Sequence, residues 1–406
     1  MAKDRLYYDD ARLLEFDAKV ASCEGPKKDE AGRDLWMVKL SPNAFYPESG
    51  GQPSDRGTVD GKPVMDIAED DAGDVVVMLG EQVSGDVHCV IDGARRFDLM
   101  QQHTGQHILS AAFERLFGFE TVGFHLGEEY CTVDLDTERL EEWQAAKAEE
   151  ESNKVVFSDV PVLARFVDNE KLASFNLRKM PKVDTDIRIV TVEGFDNCPC
   201  GGTHVSRTGE IGLIKITRID RAKGKVRLEL LCGGRALRDY SRKNRQLLKA
   251  ASSLSVHPAD LESQIERMLG QVKDLKKALA DTSARLMEYD AAKLWQDAVP
   301  EGGVKVIIYN AGAGSMDTAK QFALKLVSNP GTLAAVGASG SDNAYLVVAR
   351  SQDLKVDASA AFKAAVAVIG GKGGGNPALA QGGGSDVSKL DQALQAAREH
   401  LRTQLV

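Results

Sequence analysis

Two short stretches hold residue types that bind soft metal ions. His103 and His107, in His103-Thr-Gly-Gln-His107, are four residues apart, so on a helix their imidazoles project from one face about one turn from each other. Far downstream, Asn197-Cys-Pro-Cys-Gly-Gly-Thr-His-Val205 places Cys200 and His204 on a Pro- and Gly-containing loop that can bend both side chains toward one point. Cys and His are donors that borderline-soft zinc prefers. The spacing therefore predicts one zinc ion (Zn2+) per chain, held by His103, His107, Cys200 and His204. Zinc-finger topology is excluded, because the histidine pair comes first and about ninety residues separate the halves. The zinc-protease pattern needs a Glu beside the first His, and position 104 is Thr. Cys198, two residues from Cys200, competes for its place or serves as a reserve ligand. His125 reads as a hydrogen-bonded residue at a strand start; His88, His257 and His400 stand alone.

The elements that must position these residues are visible as changes of pattern. From Arg96 to Phe117, the apolar Leu99, Ile108, Leu109, Ala112, Phe113 and Leu116 and the absence of proline predict an amphipathic helix carrying the histidine pair. Before it, residues 1–95 alternate short apolar runs (35–40, 74–79, 87–91) with Gly, Pro, Asp and Ser turns, predicting a small N-terminal β-barrel. Residues 96–234 mix strands (130–135, 187–192, 213–219, 225–231) with a charged helix at 137–154, predicting an α+β domain around the metal. Leu261, Ile265, Met268, Val272, Leu275 and Leu279 then follow the spacing of a helical seam. With His257-Pro258 as its turn, 235–298 reads as a helical hairpin linker, and coiled-coil homodimerisation is the rival reading. Residues 299–406 alternate strand and helix, predicting a compact α/β domain. The whole is a multidomain α+β protein. Within the last domain, the glycines from Gly370 to Gly384 disfavour helix or strand and leave N–H groups free, which suits a phosphate or carboxylate cradle or a flexible loop.

Bulk properties agree with this division. A chain of 406 residues exceeds the roughly 250–300 at which single cores stop growing. No apolar run approaches the roughly 18 residues needed to span a bilayer, the first residues carry no secretory signal, and six irregularly spaced cysteines do not form a disulfide framework. The expectation is a soluble, cytoplasmic protein with no membrane partner. A net charge of -9 excludes indiscriminate coating of nucleic acid. The segment from Lys215 to Lys249 nevertheless sets twelve basic residues against three acidic ones. It is either a local dock for a polyanion or a solvated face.

The ordered pair His103-Thr-Gly-Gln-His107 and Cys200-Gly-Gly-Thr-His204 resembles the editing domain of alanyl-tRNA synthetases and their free-standing AlaX-type relatives, and more loosely that of threonyl-tRNA synthetase. Phe45-Tyr-Pro-Glu-Ser-Gly-Gly-Gln-Pro-Ser-Asp55 resembles the family's glycine-rich motif. The Gly370–Gly384 segment resembles the tRNA-binding C-terminal domain that these synthetases share with DHH-type phosphoesterases. No adenylate-forming domain precedes the motifs and no Asp-His-His triplet is present, so editing is expected without charging and without phosphoesterase chemistry. The long free-standing form is the match.

The resemblance implies a substrate, tRNA for alanine mischarged with serine or glycine, and a reaction, ATP-independent hydrolysis of the aminoacyl ester. Zinc would polarise the carbonyl or activate a water. Four protein ligands close a tetrahedral shell, so His204 or His103 is expected to bind loosely or the shell to expand. Otherwise a water held by Gln52, Thr104 or Gln106 attacks. Gly50 and Gly51 are expected beside the substrate, Thr104 and Thr121 at the serine hydroxyl, and Arg218, Arg221, Lys223, Lys372 and Gln381 on the tRNA. Two other readings stay open: a noncatalytic zinc-containing tRNA-binding protein, and a hydrolase of small aminoacyl esters.

Overall fold

The computed structural model describes residues 5–28, 32–172, 174–181, 183, 185–222 and 224–405. The chain divides into two compact units, Met1–Ser253 and Leu254–Val406. Among the described residues no helix is long and apolar enough to cross a membrane.

The first unit opens with six antiparallel strands: β1 (Glu15–Lys28), β2 (Asp34–Ser41), β3 (Gly57–Val59), β4 (Lys62–Glu69), β5 (Val75–Leu79) and β6 (Asp86–Ile91). They close into a barrel in the order β1-β2-β5-β4-β3-β6, and closure removes every unpaired strand edge. Its core is filled by Phe16, Val38, Phe45, Val59, Ile67, Val77, Leu79 and Cys89. A helix follows, α1 (Gly93–Phe117), capped by the Asp92 carboxylate, which accepts from Arg95 N, and ended by Gly118 at φ 70°. It begins three residues before the predicted Arg96, because Asp92 supplies the cap.

Around α1 lie two sheets. One takes the order β12-β13-β8-β7, from β7 (Thr121–Leu126), β8 (Cys131–Leu135), β12 (Ile214–Ala222) and β13 (Lys225–Cys232). The other is β11-β10-β9, from β9 (Val162–Val167), β10 (Ile187–Val192) and β11 (Asp196–Pro199). Helix α2 (Glu142–Phe157) starts five residues later than the pattern predicts, at a capping box between Glu141 and Gln144. A short α3 (Asn169–Leu172) and α4 (Gly233–Ser253) complete the unit. One core runs through α1, α2 and both sheets, with Leu99, Ile108, Phe113, Val133, Val190, Ile214 and Leu228 at its centre.

Barrel and α1 are joined by a buried ion pair. Arg96 and Asp55 are each 1% exposed. Arg96 Nε donates to Asp55 Oδ1 at 2.9 Å, and its Nη2 donates to Asp55 Oδ2 and to the Ala44 carbonyl. The bidentate geometry and the added carbonyls make up for the lost hydration of both charges.

The second unit begins with α5 (Leu261–Asp297). The two arms of the expected hairpin, α4 and α5, thus fall in different units. A five-stranded sheet follows, in the order β14-β15-β16-β18-β17, from β14 (Lys305–Ala313), β15 (Thr332–Ser339), β16 (Ala344–Arg350), β17 (Lys372–Asn376) and β18 (Leu379–Gly384). Helix α6 (Met316–Val327) covers one face with Phe322 and Leu326. Helices α7 (Ala358–Val366) and α8 (Leu390–Thr403) cover the other with Phe362, Leu394 and Leu401.

The glycine-rich segment is not the open cradle or loop expected from its composition. It forms the hairpin β17-β18, and β18 is paired on both sides, with β16 and with β17. The glycines serve close approach. A Cβ on Gly373 would lie 2.3 Å from the Gln381 carbonyl oxygen and 2.6 Å from Phe362 Cζ, and one on Gly382 would meet the same Phe362 atom at 2.6 Å. Lys372 stands exposed at the outer strand, and Gln381 is half-buried with its Oε1 unpartnered.

Asp55→Ala is expected to lower stability by about 3–5 kcal/mol, because it leaves Arg96 buried without its counter-charge. An unchanged denaturant midpoint for the variant would show that the pair does not hold barrel to helix.

Candidate metal centre

Helix α1 delivers His103 and His107 with their rings 5.1 Å apart. The β10-β11 hairpin delivers the other pair: Val190 faces Cys198 in its register, and one residue past β11 the Cys200 N–H donates to the Arg188 carbonyl at 3.0 Å. The chain then turns through Gly201 and Gly202 and brings His204 against the helix. A Cβ on Gly202 would sit 2.2 Å from His103 Cε1, so only glycine fits there. Cys200 Sγ lies 3.4 Å from His103 Nε2 and 3.3 Å from His204 Nε2. One donor atom from each of the four residues lies within 4.8 Å of all the others.

What fixes these rings is on their far sides. Gln52 Oε1 accepts the backbone N–H of Thr203 at 3.1 Å, which identifies it as the carbonyl oxygen. Since it can only accept, the 2.8 Å contact puts the His103 proton on Nδ1 and leaves a lone pair on Nε2, toward Cys200. Thr104 Oγ1 accepts from Val205 N at 3.2 Å and faces His204 Nδ1 at 3.1 Å. His107 Nδ1 is buried without a hydrogen bond, 3.9 Å from Asp196 Oδ2, and Asp196 is held by Arg178 at 2.9 and 3.2 Å. Phe124 of β7 stacks on His103 with centroids 5.5 Å apart.

Burial sets the protonation states. It lowers His103 to about 3 and takes His107 and His204 well below the usual imidazole range, so all three are neutral donors at physiological pH. Burial raises the Cys200 thiol. Three neutral imidazoles and one thiol, dry and convergent, suit a borderline-soft divalent cation, which would draw the proton from sulfur. The donor set thus fits zinc and leaves no protein donor over.

Several expected roles change in the structure. Gln52 is fully buried, and its amide bonds to His103 and Thr203. Thr104 is fully buried, and its oxygen is likewise taken. Gly50 and Gly51, at φ 59° and 85°, form the tight turn in which Ser49 and Gln52 exchange backbone bonds, and this swings Gln52 inward. The ligands expected to be loose, His103 and His204, are the two pinned through Nδ1; the untethered ring is His107.

Gln106 and Thr121 are buried, but their hydrogen bonds run to Ser110 Oγ, each at 2.7 Å, not to the four-residue cluster. Cys198 is buried beside His107 and Asp196, its thiol pushed up to about 12 by burial, and stands outside the four-residue group.

Part of the basic segment is paired within the fold. Lys215 pairs with Glu149, Lys225 and Arg227 with Asp134, Arg235 with Asp98, and Arg242 and Lys243 with Asp239. Arg218 is tied to Asp220 at 3.0 Å. Arg221 is exposed and has no ion pair among the described residues, while Lys223 lies outside them. Thr203, Asp196, Arg178 and Arg188 escaped sequence reading, since no spacing marks a partner of a ligand.

Gln52→Leu is expected to weaken zinc binding about 10- to 100-fold while the chain stays folded, as measured by chelator competition. A native affinity would show that the His103 proton needs no partner. The same titration run from pH 6 to 8 has a defined sign. With the imidazoles already neutral and the thiol still protonated, one proton leaves per metal bound, so affinity should rise about tenfold per pH unit. A steeper slope would mean that a histidine also titrates.

Residues 187–229 match the family described as the threonyl and alanyl tRNA synthetase second additional domain, and residues 303–403 match the DHHA1 domain. The alanyl-tRNA editing protein AlaX-L of Pyrococcus horikoshii is 31% identical over 98% of this chain and 99% of its own length. The alanine–tRNA ligase of Natronomonas pharaonis is 33% identical over 99% of this chain, which spans 44% of that ligase. Among solved structures, the C-Ala domain of Aquifex aeolicus alanyl-tRNA synthetase matches 26% of this chain and 96% of its own at 23% identity, with a TM-score of 0.24. With a relative alike along nearly the full length of both chains, the chain belongs to the alanyl-tRNA editing protein family.

Proposed function

We propose that this protein is a trans-editing hydrolase that removes serine, glycine or both from mischarged alanine tRNA, acting in the cytoplasm as a zinc-dependent aminoacyl-tRNA deacylase. The observation that carries the proposal is the convergence of His103, His107, Cys200 and His204, with the His103 proton fixed by Gln52 and His204 Nδ1 bonded to Thr104. Family membership supplies the substrate class. When bound, zinc would supply a Lewis acid beside the ester carbonyl.

The chain's own residues do the rest. Gln52 holds the His103 imidazole in the ligating tautomer, and Thr104 orients the His204 ring through Nδ1. The buried Gln106-Ser110-Thr121 chain offers hydroxyl and amide groups to the amino-acid side chain. A pocket built to bond a hydroxyl rejects the analogue lacking one, which would spare correctly attached alanine. Arg218 and Arg221 of β12, with Lys223, Lys372 and Gln381, are the proposed tRNA contacts. Self-association is proposed through the α5 seam, where Val272, Leu275 and Leu279 are 47%, 68% and 69% exposed.

A second reading has one observation in its favour: four protein donors fill a tetrahedral shell, as in structural zinc sites. On that reading the protein binds tRNA and the metal only holds the fold. Purified protein incubated with serylated, glycylated and alanylated alanine tRNA separates the two. The editing reading expects release of serine about 100-fold faster than of alanine. Intact tRNA binding with release at the spontaneous rate would favour the structural role. Thr121→Val is expected to slow serine release about 10- to 100-fold, the loss of one buried hydrogen bond, with zinc content unchanged.

A further inference from the structure

Arg188 sits in β10, the middle strand of its sheet, and is 7% exposed, yet no carboxylate among the described residues pairs with it. Its Nη1 donates to two carbonyls of the metal loop, Cys200 at 3.0 Å and Gly202 at 2.8 Å. The Cys200 N–H returns a bond to the Arg188 carbonyl, so side chain and main chain of one residue grip the same turn. The Tyr8 ring lies 5.2 Å from the guanidinium carbon, and Nε is buried without a partner. A buried guanidinium without a counter-ion is costly, and an apolar side chain would fill β10 more cheaply.

What the turn requires explains the cation. Two consecutive glycines leave it conformationally free, yet it must place Cys200 Sγ against two imidazoles and carry a Gly202 that has no room for a Cβ. The two N–H groups of one guanidinium nitrogen hold carbonyls i and i+2 together, which fixes the turn from its backbone. The geometry points to Arg188 as a positioning residue that sets the Cys200–His204 half of the metal centre. It touches no donor atom and acts through the backbone that carries them. This inference rests on the reading of the four residues as metal ligands.

Cobalt(II) in place of zinc tests it, because its visible bands and thiolate charge-transfer band report ligand geometry apart from any catalytic activity. For the full-length Arg188→Met variant, the expected result is 10- to 100-fold weaker cobalt binding by chelator competition and a shifted or weakened thiolate band, with far-UV circular dichroism and cooperative melting retained. Arg188→Lys, which keeps the charge but has a shorter reach and lacks the planar fork that spans the turn, should show a smaller loss and an altered band. A folded Arg188→Met with native affinity and spectrum overturns the assignment. If that variant does not fold, Arg188→Lys decides alone, and a native affinity and spectrum in it overturn the assignment equally. Absence of any thiolate band in the unaltered protein would instead overturn the metal reading itself.

Discussion

An imidazole has one proton to share between two nitrogens, and in a dry site the neighbour on the far side decides which one keeps it. Much of the first unit is arranged around that choice. Gln52 reaches His103 from the barrel, Thr104 reaches His204 from one turn along α1, and Asp196 stands behind His107 from β11. Each of these is itself held, by Thr203, by Val205 N–H and by Arg178. The turn at Gly50-Gly51, the bare Cα of Gly202 and the ring of Phe124 are then consequences, since each lets one of these groups come close enough. Burial keeps the imidazoles neutral, and the same burial makes a misplaced proton expensive to correct.

The four converging residues were legible and their supports were not, for a physical reason. A pair four apart on a helix is a local relation, and so is a Cys and a His joined by glycines. A bond between Gln52 and His103 crosses 51 residues and leaves no trace in either stretch. Gln52 was found by its neighbourhood in a glycine-rich motif, but its bond to His103 was not. Arg188 was invisible because Ile187-Arg-Ile-Val reads as a strand with one polar residue facing out, whereas all four are buried.

The second unit shows the opposite failure, in which composition misled about structure. Thr332-Leu-Ala-Ala-Val-Gly-Ala-Ser has few residues with β preference, yet it is the buried strand β15, where small side chains let α6 and α8 lie close on its two faces. The glycines after Gly370 were taken for freedom, and the Phe362 ring shows them to be clearance. Charge partners were hidden by distance in the chain. Three counter-charges of the basic segment, Asp98, Asp134 and Glu149, lie about 65 to 140 residues upstream of their partners.

Gln52 belongs to the barrel and His103 to the helix beyond it, so the tautomer of one of the four converging residues is set by a part of the chain that contributes none of them. By mass action, whatever favours the ligating tautomer of His103 also favours the docked barrel, and the reverse holds. How the barrel docks and which nitrogen of His103 stays open are thus one choice, made by two residues that lie 51 positions apart.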